Sequence, residues 1–472
     1  MLATFVCLFS ICSYLAVTAT AKMFEQARER RVESVDILKV LLSREVLQAL
    51  RDPAKARAAR RAHLKFIQAE ASAAQGNYKQ FHAQASEANQ DLEDTFGKGA
   101  YICCFFSMMQ ADFEISFHRY RIAADLIEKA VAGLSKDGGG DNDSVIFSCR
   151  SRLATCYEKL HLLDKAIDCY RQNLKLAPAL DKSEHSSTRV NYFDTVACLA
   201  DVYSARHLKD KAKEALGEAT AICDRVDASA EIKAGRYVRL AHIADDLGDY
   251  AAAIAVLDKG QRSDPRAIEV YRGRGVVFCH EKQYEKAVID FTAGLAIDPG
   301  DGNLYDWRSW AFEKQDGHHE EALKDLASAI QYTRTNNEKN WLYSRRAFLQ
   351  AKYGNYKGAI SDASEALKLK KQDTSSLLIR AESYEKLKQY ENAIADFNIL
   401  AANTKFLGHS DWADGNEKAD RHPMGTRVFS GRAVAFLALG RKQEASADLA
   451  MAKKMQEAFA AGAYKDDVDD DE

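Results

Sequence analysis

YRGRGVVFCHEKQYEKAVIDFTAGLAIDP, residues 271 to 299, contains two amphipathic helices joined by a short turn. Apolar side chains recur in each half at the three- and four-residue spacing of a half-buried helix. Gly275 lies in the first helix, and Ala287 and Phe291 in the second. Two antiparallel helices approach closely only where small side chains face each other and large ones fill the flanking layers. The stretch therefore reads as a tight helical hairpin.

The hairpin recurs along the chain. Aligned on the alanine of the second helix, the series is Ala123, Ala166, Ala212, Ala253, Ala287, Ala322, Ala359, Ala393 and Ala445. Independent columns carry the test. Twelve residues earlier stand Ala111, Ala154, Ala200, Ala241, Gly275, Ala347, Ala381 and Ala433, and Ser309 completes the column with a one-residue insertion near Gly317. Twelve residues later stand Pro178, Pro265 and Pro299, three of only five prolines. Turn signatures Gly248-Asp-Tyr250, Gly354-Asn-Tyr356 and Gly440 fall between the helices. A degenerate unit precedes them around Ala62 to Ala88, where Gly76-Asn-Tyr78 repeats the turn.

This pattern resembles the tetratricopeptide repeat, with a small residue at the eighth position, an aromatic at the eleventh, alanine at the twentieth and proline at the thirty-second. In the unit quoted above these are Gly275, Phe278, Ala287 and Pro299. The resemblance spans roughly residues 62 to 460 and implies an all-α solenoid of about nine or ten stacked hairpins. It identifies architecture well and function poorly.

Two kinds of repeat follow each other. Successive alanines are 43, 46 and 41 residues apart up to Ala253, then 34, 35, 37 and 34 apart up to Ala393. Residues 62–265 resemble the longer repeats of kinesin-light-chain-type proteins, and residues 266–401 resemble ordinary 34-residue units. In the back half the seventh position is Arg and the twenty-third Asp: Arg274 with Asp290, Arg308 with Asp325, Arg346 with Asp362, Arg380 with Asp396, and Arg432 with Asp448. The front units carry Leu153, Leu199 and Leu240 at the seventh position, and Cys169, Ala215 and Val256 at the twenty-third. Charge occupies both columns or neither. Each Arg is therefore expected to reach an Asp across its own hairpin or to the neighbouring one, as a structural ion pair.

Composition narrows the function. The 472 residues hold 66 Lys and Arg against 69 Asp and Glu, which argues against a nucleic-acid binder needing a basic face. Residues 1–21 are apolar and end in Ala19-Thr-Ala21, the form of a secretory signal peptide. Lys22, Arg28, Arg30 and Arg31 follow this run, and an uncleaved segment would then anchor the chain with its repeats in the cytoplasm. The expected location is extracytoplasmic: secreted, periplasmic or in a secretory lumen. Residues 22–61 read as an N-terminal helical segment. Eight later cysteines (Cys103, Cys104, Cys149, Cys156, Cys169, Cys198, Cys223 and Cys279) sit in apolar helical patterns without CxxC or neighbouring His, as buried thiols do.

No catalytic constellation is present. Arg272-Gly-Arg-Gly275 lies inside a helix instead of after a strand, and His318-His-Glu-Glu321 lacks the second His that a zinc-protease helix requires. The segment 402–425 contains His409, Asp411, Trp412, Asp414 and His422, and reads as a polar loop insertion in place of a metal site. The last repeat is then 426–460, and 461–472 is an acidic tail. No enzyme activity, cofactor, metal, nucleic acid or small-molecule substrate is expected.

Binding remains. In the resembled family, first helices line a concave groove, and the second, fifth, ninth, twelfth and thirteenth positions face it. That projection selects Arg272, His280, Trp310, Lys314, Trp341, Phe348, Lys352, Lys386 and Arg427. Aromatic anchors among cations suit a protein or peptide partner carrying acidic residues. The Lys and Asn arrangement of chaperone-binding relatives is missing, since Arg272 and Val276, or Asp306 and Trp310, stand there. The expected function is a non-enzymatic interaction scaffold. An assembly factor or co-chaperone of a secretory or periplasmic compartment is the alternative.

Overall fold

The computed structural model describes residues 52–97, 100–135, 143–181, 186–402 and 424–460. Within these residues all regular structure is helical, and the twenty helices pair in chain order into ten hairpins. The first four hairpins are α1 (Pro53–Ala74) with α2 (Tyr78–Phe96), α3 (Tyr101–Ser116) with α4 (Tyr120–Leu134), α5 (Asp143–Lys159) with α6 (Leu163–Asp181), and α7 (Ser186–Ala205) with α8 (Lys209–Arg225). Next come α9 (Ala230–Asp246) with α10 (Tyr250–Ser263), and α11 (Ile268–His280) with α12 (Tyr284–Ile297). The remainder are α13 (Gly302–Glu313) with α14 (His319–Tyr332), α15 (Asn336–Lys352) with α16 (Tyr356–Leu369), α17 (Thr374–Lys386) with α18 (Tyr390–Ala402), and α19 (Met424–Ala438) with α20 (Lys442–Ala460).

The chain divides into two units. One holds α1 to α8 with residues His242–Asp249, and the other holds Ala230–Ala241 with α10 to α20. Helix length accounts for the change of period: α5 to α8 have 17 to 20 residues each, whereas α11 to α14 have 12 to 14. Pro265 and Pro299 follow their helices, whereas α6 carries Pro178 inside its last turn.

The alanine column is the core of every hairpin from α3 onward. All nine alanines of that column have 0 % exposure. The small residue facing it is equally constrained: a Cβ added to Gly275 would lie 2.4 Å from the ring of Phe291. The first hairpin departs from this rule. Five residues after its turn glycine stands Phe81, not alanine, and its ring packs 5.2 Å from Phe113 and 5.9 Å from Phe117. This hairpin starts at Pro53, nine residues before the boundary read from the sequence. Pro at the first helical position needs no hydrogen-bond partner for its nitrogen, and the Asp52 side chain accepts from the Ala54 N–H at 2.8 Å.

Each hairpin turn reverses through one left-handed residue. Five of these are glycines (Gly76, Gly248, Gly317, Gly354 and Gly440), and the others are His118, His161, His207, Lys282 and Lys388. The residue after it closes the first helix: the Gln283 N–H donates to the Phe278 carbonyl at 2.8 Å, and the Asn355 N–H to that of Gln350 at 2.8 Å. The α13–α14 turn takes five residues (Lys314–His318), which places the expected insertion.

Residues 1–21 and 22–51, residues 403–423 and the tail 461–472 lie outside the described residues, together with the expectations about them. Among the described residues no helix is long and apolar enough to cross a membrane. Among the described residues the eight cysteines form no disulfide, and burial pushes Cys103, Cys149 and Cys279 up to about 12.

Candidate peptide-binding groove

The second unit is held together by charge as well as by alanine. Arg274 Nε and Nη2 fork onto Asp290 at 2.8 and 2.7 Å, and Arg308 onto Asp325 at 2.7 and 2.8 Å. Arg346 meets Asp362 at 2.7 Å through both nitrogens, Arg380 meets Asp396 at 2.8 Å, and Arg432 meets Asp448 at 2.7 Å. Every pair joins the two helices of one hairpin. The carboxylates are buried, at 4 to 6 % exposure, while the guanidinium stems keep partial contact with water.

The third guanidinium nitrogen does something the sequence columns did not suggest. Nη1 of Arg274 reaches back to Asp258 and Gln261 on α10, at 2.6 and 2.8 Å. Arg308 reaches Thr292 at 3.0 Å, Arg380 reaches Ser364 at 3.2 Å, and Arg432 reaches Asn398 at 2.8 Å. Every acceptor lies on the second helix of the preceding hairpin and, Gln261 apart, two residues after the aspartate column or its apolar equivalent. One planar fork thus ties three helices, a geometry that lysine cannot supply. For Arg346 the equivalent position is Ala327, which offers no acceptor.

The first helices α11, α13, α15, α17 and α19 carry the residues projected onto the groove. Trp310 is half-buried on α13, 5.8 Å from Tyr284 and 6.2 Å from Trp307, and Lys314 Nζ stands 5.5 Å from its ring. Phe348 is half-buried on α15, and Trp341 on the same helix is 43 % exposed. His280, at the end of α11, is exposed with its ring 6.5 Å from Tyr250.

The cations face carboxylates. Arg272 lies 3.4 Å from Asp301, the N-cap of α13, and Lys352 lies 3.9 Å from Glu313. Arg427 forks onto Glu382 at 2.8 Å, and Lys386 stands 4.0 Å from Glu385. Arg345, absent from the projection, pairs with Asp306 and lies 3.6 Å from Glu313. Burial raises the Asp306 carboxyl, and the Arg345 guanidinium opposes that rise. Burial likewise raises Glu385. Acidic side chains on α13 and α17 therefore alternate with basic ones on α15 and α19. This face is charge-balanced along the first helices, where a projection of cations alone suggested a basic one. Asp306, Glu382, Glu313 and Glu385 occupy the same fifth, ninth and twelfth positions and are readable there, whereas Asp301 precedes the first position of its repeat. Among the described residues no three metal-ligating side chains converge.

Residues 238–302 match the tetratricopeptide repeat family. No curated protein matches the sequence. Among solved structures, PilF of Pseudomonas aeruginosa is similar at 17 % identity and a TM-score of 0.36, over 48 % of this chain and 97 % of that one. YrrB, described as a tetratricopeptide protein with an unusual peptide-binding site, is similar at 15 % identity and a TM-score of 0.35, over 44 % and 97 %. The C-terminal part of a repeat protein from Cytophaga hutchinsonii aligns at 17 % identity and a TM-score of 0.40, over 57 % and 98 %.

Proposed function

We propose that the protein is a non-enzymatic scaffold that holds a polypeptide partner against the first helices of its second unit. The observation that carries this reading is the aromatic set Trp310, Trp341 and Phe348, left partly exposed on consecutive first helices amid fixed charges. Aromatic side chains offer large contact area at small entropic cost, and anchors of this kind dominate binding energy at interfaces. Arg272, Lys352, Lys386 and Arg427 already face carboxylates of this chain, so a partner meets both signs of charge along this face.

A photo-crosslinking residue at Phe348, compared with one at Ile289, tests this in the native host. Ile289 is 67 % exposed on a second helix and serves as the control. Discrete adducts at 348 and none at 289 are expected. Equal labelling at both sites overturns the groove reading. The alternative role, an assembly factor or co-chaperone of an exported compartment, rests on the apolar residues 1–21 and their Ala19-Thr-Ala21 ending. An intact mass beginning at Lys22 in an extracytoplasmic fraction supports it, and retention of Met1 in the membrane fraction removes it.

A further inference from the structure

Between α13 and α15 the charges of the groove approach without closing on one another. The Glu313 side chain is 8 % exposed, against 15 to 35 % for Asp301, Glu385, Asp306 and Glu382. It stands 3.6 Å from Arg345 Nη2 and 3.9 Å from Lys352 Nζ, both beyond hydrogen-bond reach. Among the described residues this carboxylate accepts no hydrogen bond. Arg345 directs Nη1 to the carboxylate and the carbonyl of Asp306, and its Nη2 is buried with no hydrogen-bond partner. Farther along the same face the charges do close, where Arg427 forks onto Glu382 at 2.8 Å. A buried ionised group left without hydrogen bonds is costly.

The surroundings define what fits the gap. Trp310 precedes Glu313 by three residues on α13, and Phe348 lies between Arg345 and Lys352 on α15. Helical spacing thus sets a half-buried aromatic ring beside the gap on each helix. Asp306, Glu313, Arg345 and Lys352 together sum to zero charge. An entering cation meets Arg345 and Lys352, and an entering carboxylate meets Asp306 and Glu313, so either leaves a charge uncompensated in a half-buried place. Burial already raises the Asp306 carboxyl, Arg345 opposes that rise and Glu313 adds to it. A carboxamide adds no charge and carries N–H donors and a carbonyl acceptor on neighbouring atoms. Its nitrogen can donate to Glu313 while its oxygen accepts from Lys352 or Arg345.

Resting on the groove reading above, we propose that the gap between α13 and α15 selects the side-chain carboxamide of an asparagine or glutamine in the partner. An apolar residue beside that amide lies against Phe348 and Trp310. Glu313 is then the residue that sets specificity, and the aromatic rings supply contact area.

The test selects random peptides displayed on phage against the full chain, then titrates individual peptides by fluorescence anisotropy. Recovered peptides should share an Asn or Gln beside an apolar residue. Replacing that amide residue by Ala should weaken binding at least about tenfold on the native protein, and less than about twofold on the Glu313→Ala variant. Replacing it by the isosteric Asp or Glu should weaken binding to the native protein at least as much. Lys352 is exposed, so Lys352→Ala should fold as the native protein does and shrink the same preference, which keeps the test open if Glu313→Ala is unstable. Phe348→Ala should weaken every peptide. Peptides that need Phe348 but ignore the amide overturn the carboxamide assignment and leave the groove reading standing. So do peptides carrying a charged residue in its place, or an amide preference of equal size on the native protein and both variants. Peptides indifferent to Phe348, or recovery of none, overturn both.

Discussion

Replacing Arg346 by leucine tests whether the Arg–Asp forks are structural elements or surface decoration. The substitution removes two charge-assisted bonds of 2.7 Å and leaves the Asp362 carboxylate at 5 % exposure with its partner gone. Breaking a buried pair from one side costs about 3–5 kcal/mol, and an exposed pair under about 1 kcal/mol. The Arg346 side chain keeps 20 % exposure, so water reaches the vacated space and the lower end, about 3 kcal/mol, is expected. Replacing both residues by leucine removes the orphaned charge. The front hairpins hold apolar pairs such as Leu153 with Cys169 and Leu240 with Val256 in these positions, all buried. The double variant should therefore lie within about 1 kcal/mol of the native protein. Urea unfolding followed by tryptophan fluorescence reads this region, because Trp307, Trp310 and Trp341, three of the four tryptophans, stand on α13 and α15. A double variant no more stable than Arg346→Leu alone refutes the reasoning.

Three further outcomes are expected. Gly275→Ala drives a Cβ to 2.4 Å from the Phe291 ring and should destabilise by about 1–2 kcal/mol net of its better helix propensity, with partial rescue by Phe291→Leu in the same urea assay. Lys282→Gly relieves a left-handed lysine at φ 61° and should stabilise by about 0.5–1 kcal/mol, seen as a higher urea midpoint at unchanged slope. Burial pushes the Glu70 carboxyl up to about 7 from an ordinary value of 4.5. The folded state then binds the proton more tightly than the unfolded one, so Glu70's contribution to stability is fully present below pH 4.5 and is lost as pH rises through about 7, by at most about 3 kcal/mol. Glu70→Gln should flatten that part of the stability profile, and an unchanged slope rejects the assignment.

The architecture was legible because close helix contact leaves little choice of side chain. Wherever two helices meet at the alanine column, any larger residue collides, so the column repeats with a visible period. The first hairpin was blurred for the same reason in reverse. Phe81 occupies the alanine position there, with Phe113 and Phe117 packed around it, and an alignment anchored on alanine slides past it. The charged columns stood out because apolar residues replaced both members together in the front half. The backward reach of Arg274, Arg308, Arg380 and Arg432 was not visible, since Asp258, Thr292, Ser364 and Asn398 share only an acceptor atom and no residue type. Half of the groove was legible. Cation spacing alone points to an anionic partner, whereas Asp301 at the N-cap of α13 and Asp306, Glu313 and Glu382 on first helices already oppose cations of this chain.

The backward reach of these arginines gives the second unit a direction. Where it occurs, a hairpin donates to an acceptor that precedes it in the chain, and the acceptor is made first. As the polypeptide emerges during synthesis, Arg274, Arg308, Arg380 and Arg432 each find the receiving helix already translated. Loss of hairpins from the C-terminal end leaves these acceptors behind, Thr292, Ser364 and Asn398 neutral and Asp258 charged. Loss from the front leaves each arginine its own aspartate but not this bond. Translation and this bonding therefore share one axis: the ribosome delivers each acceptor before the arginine that will bind it.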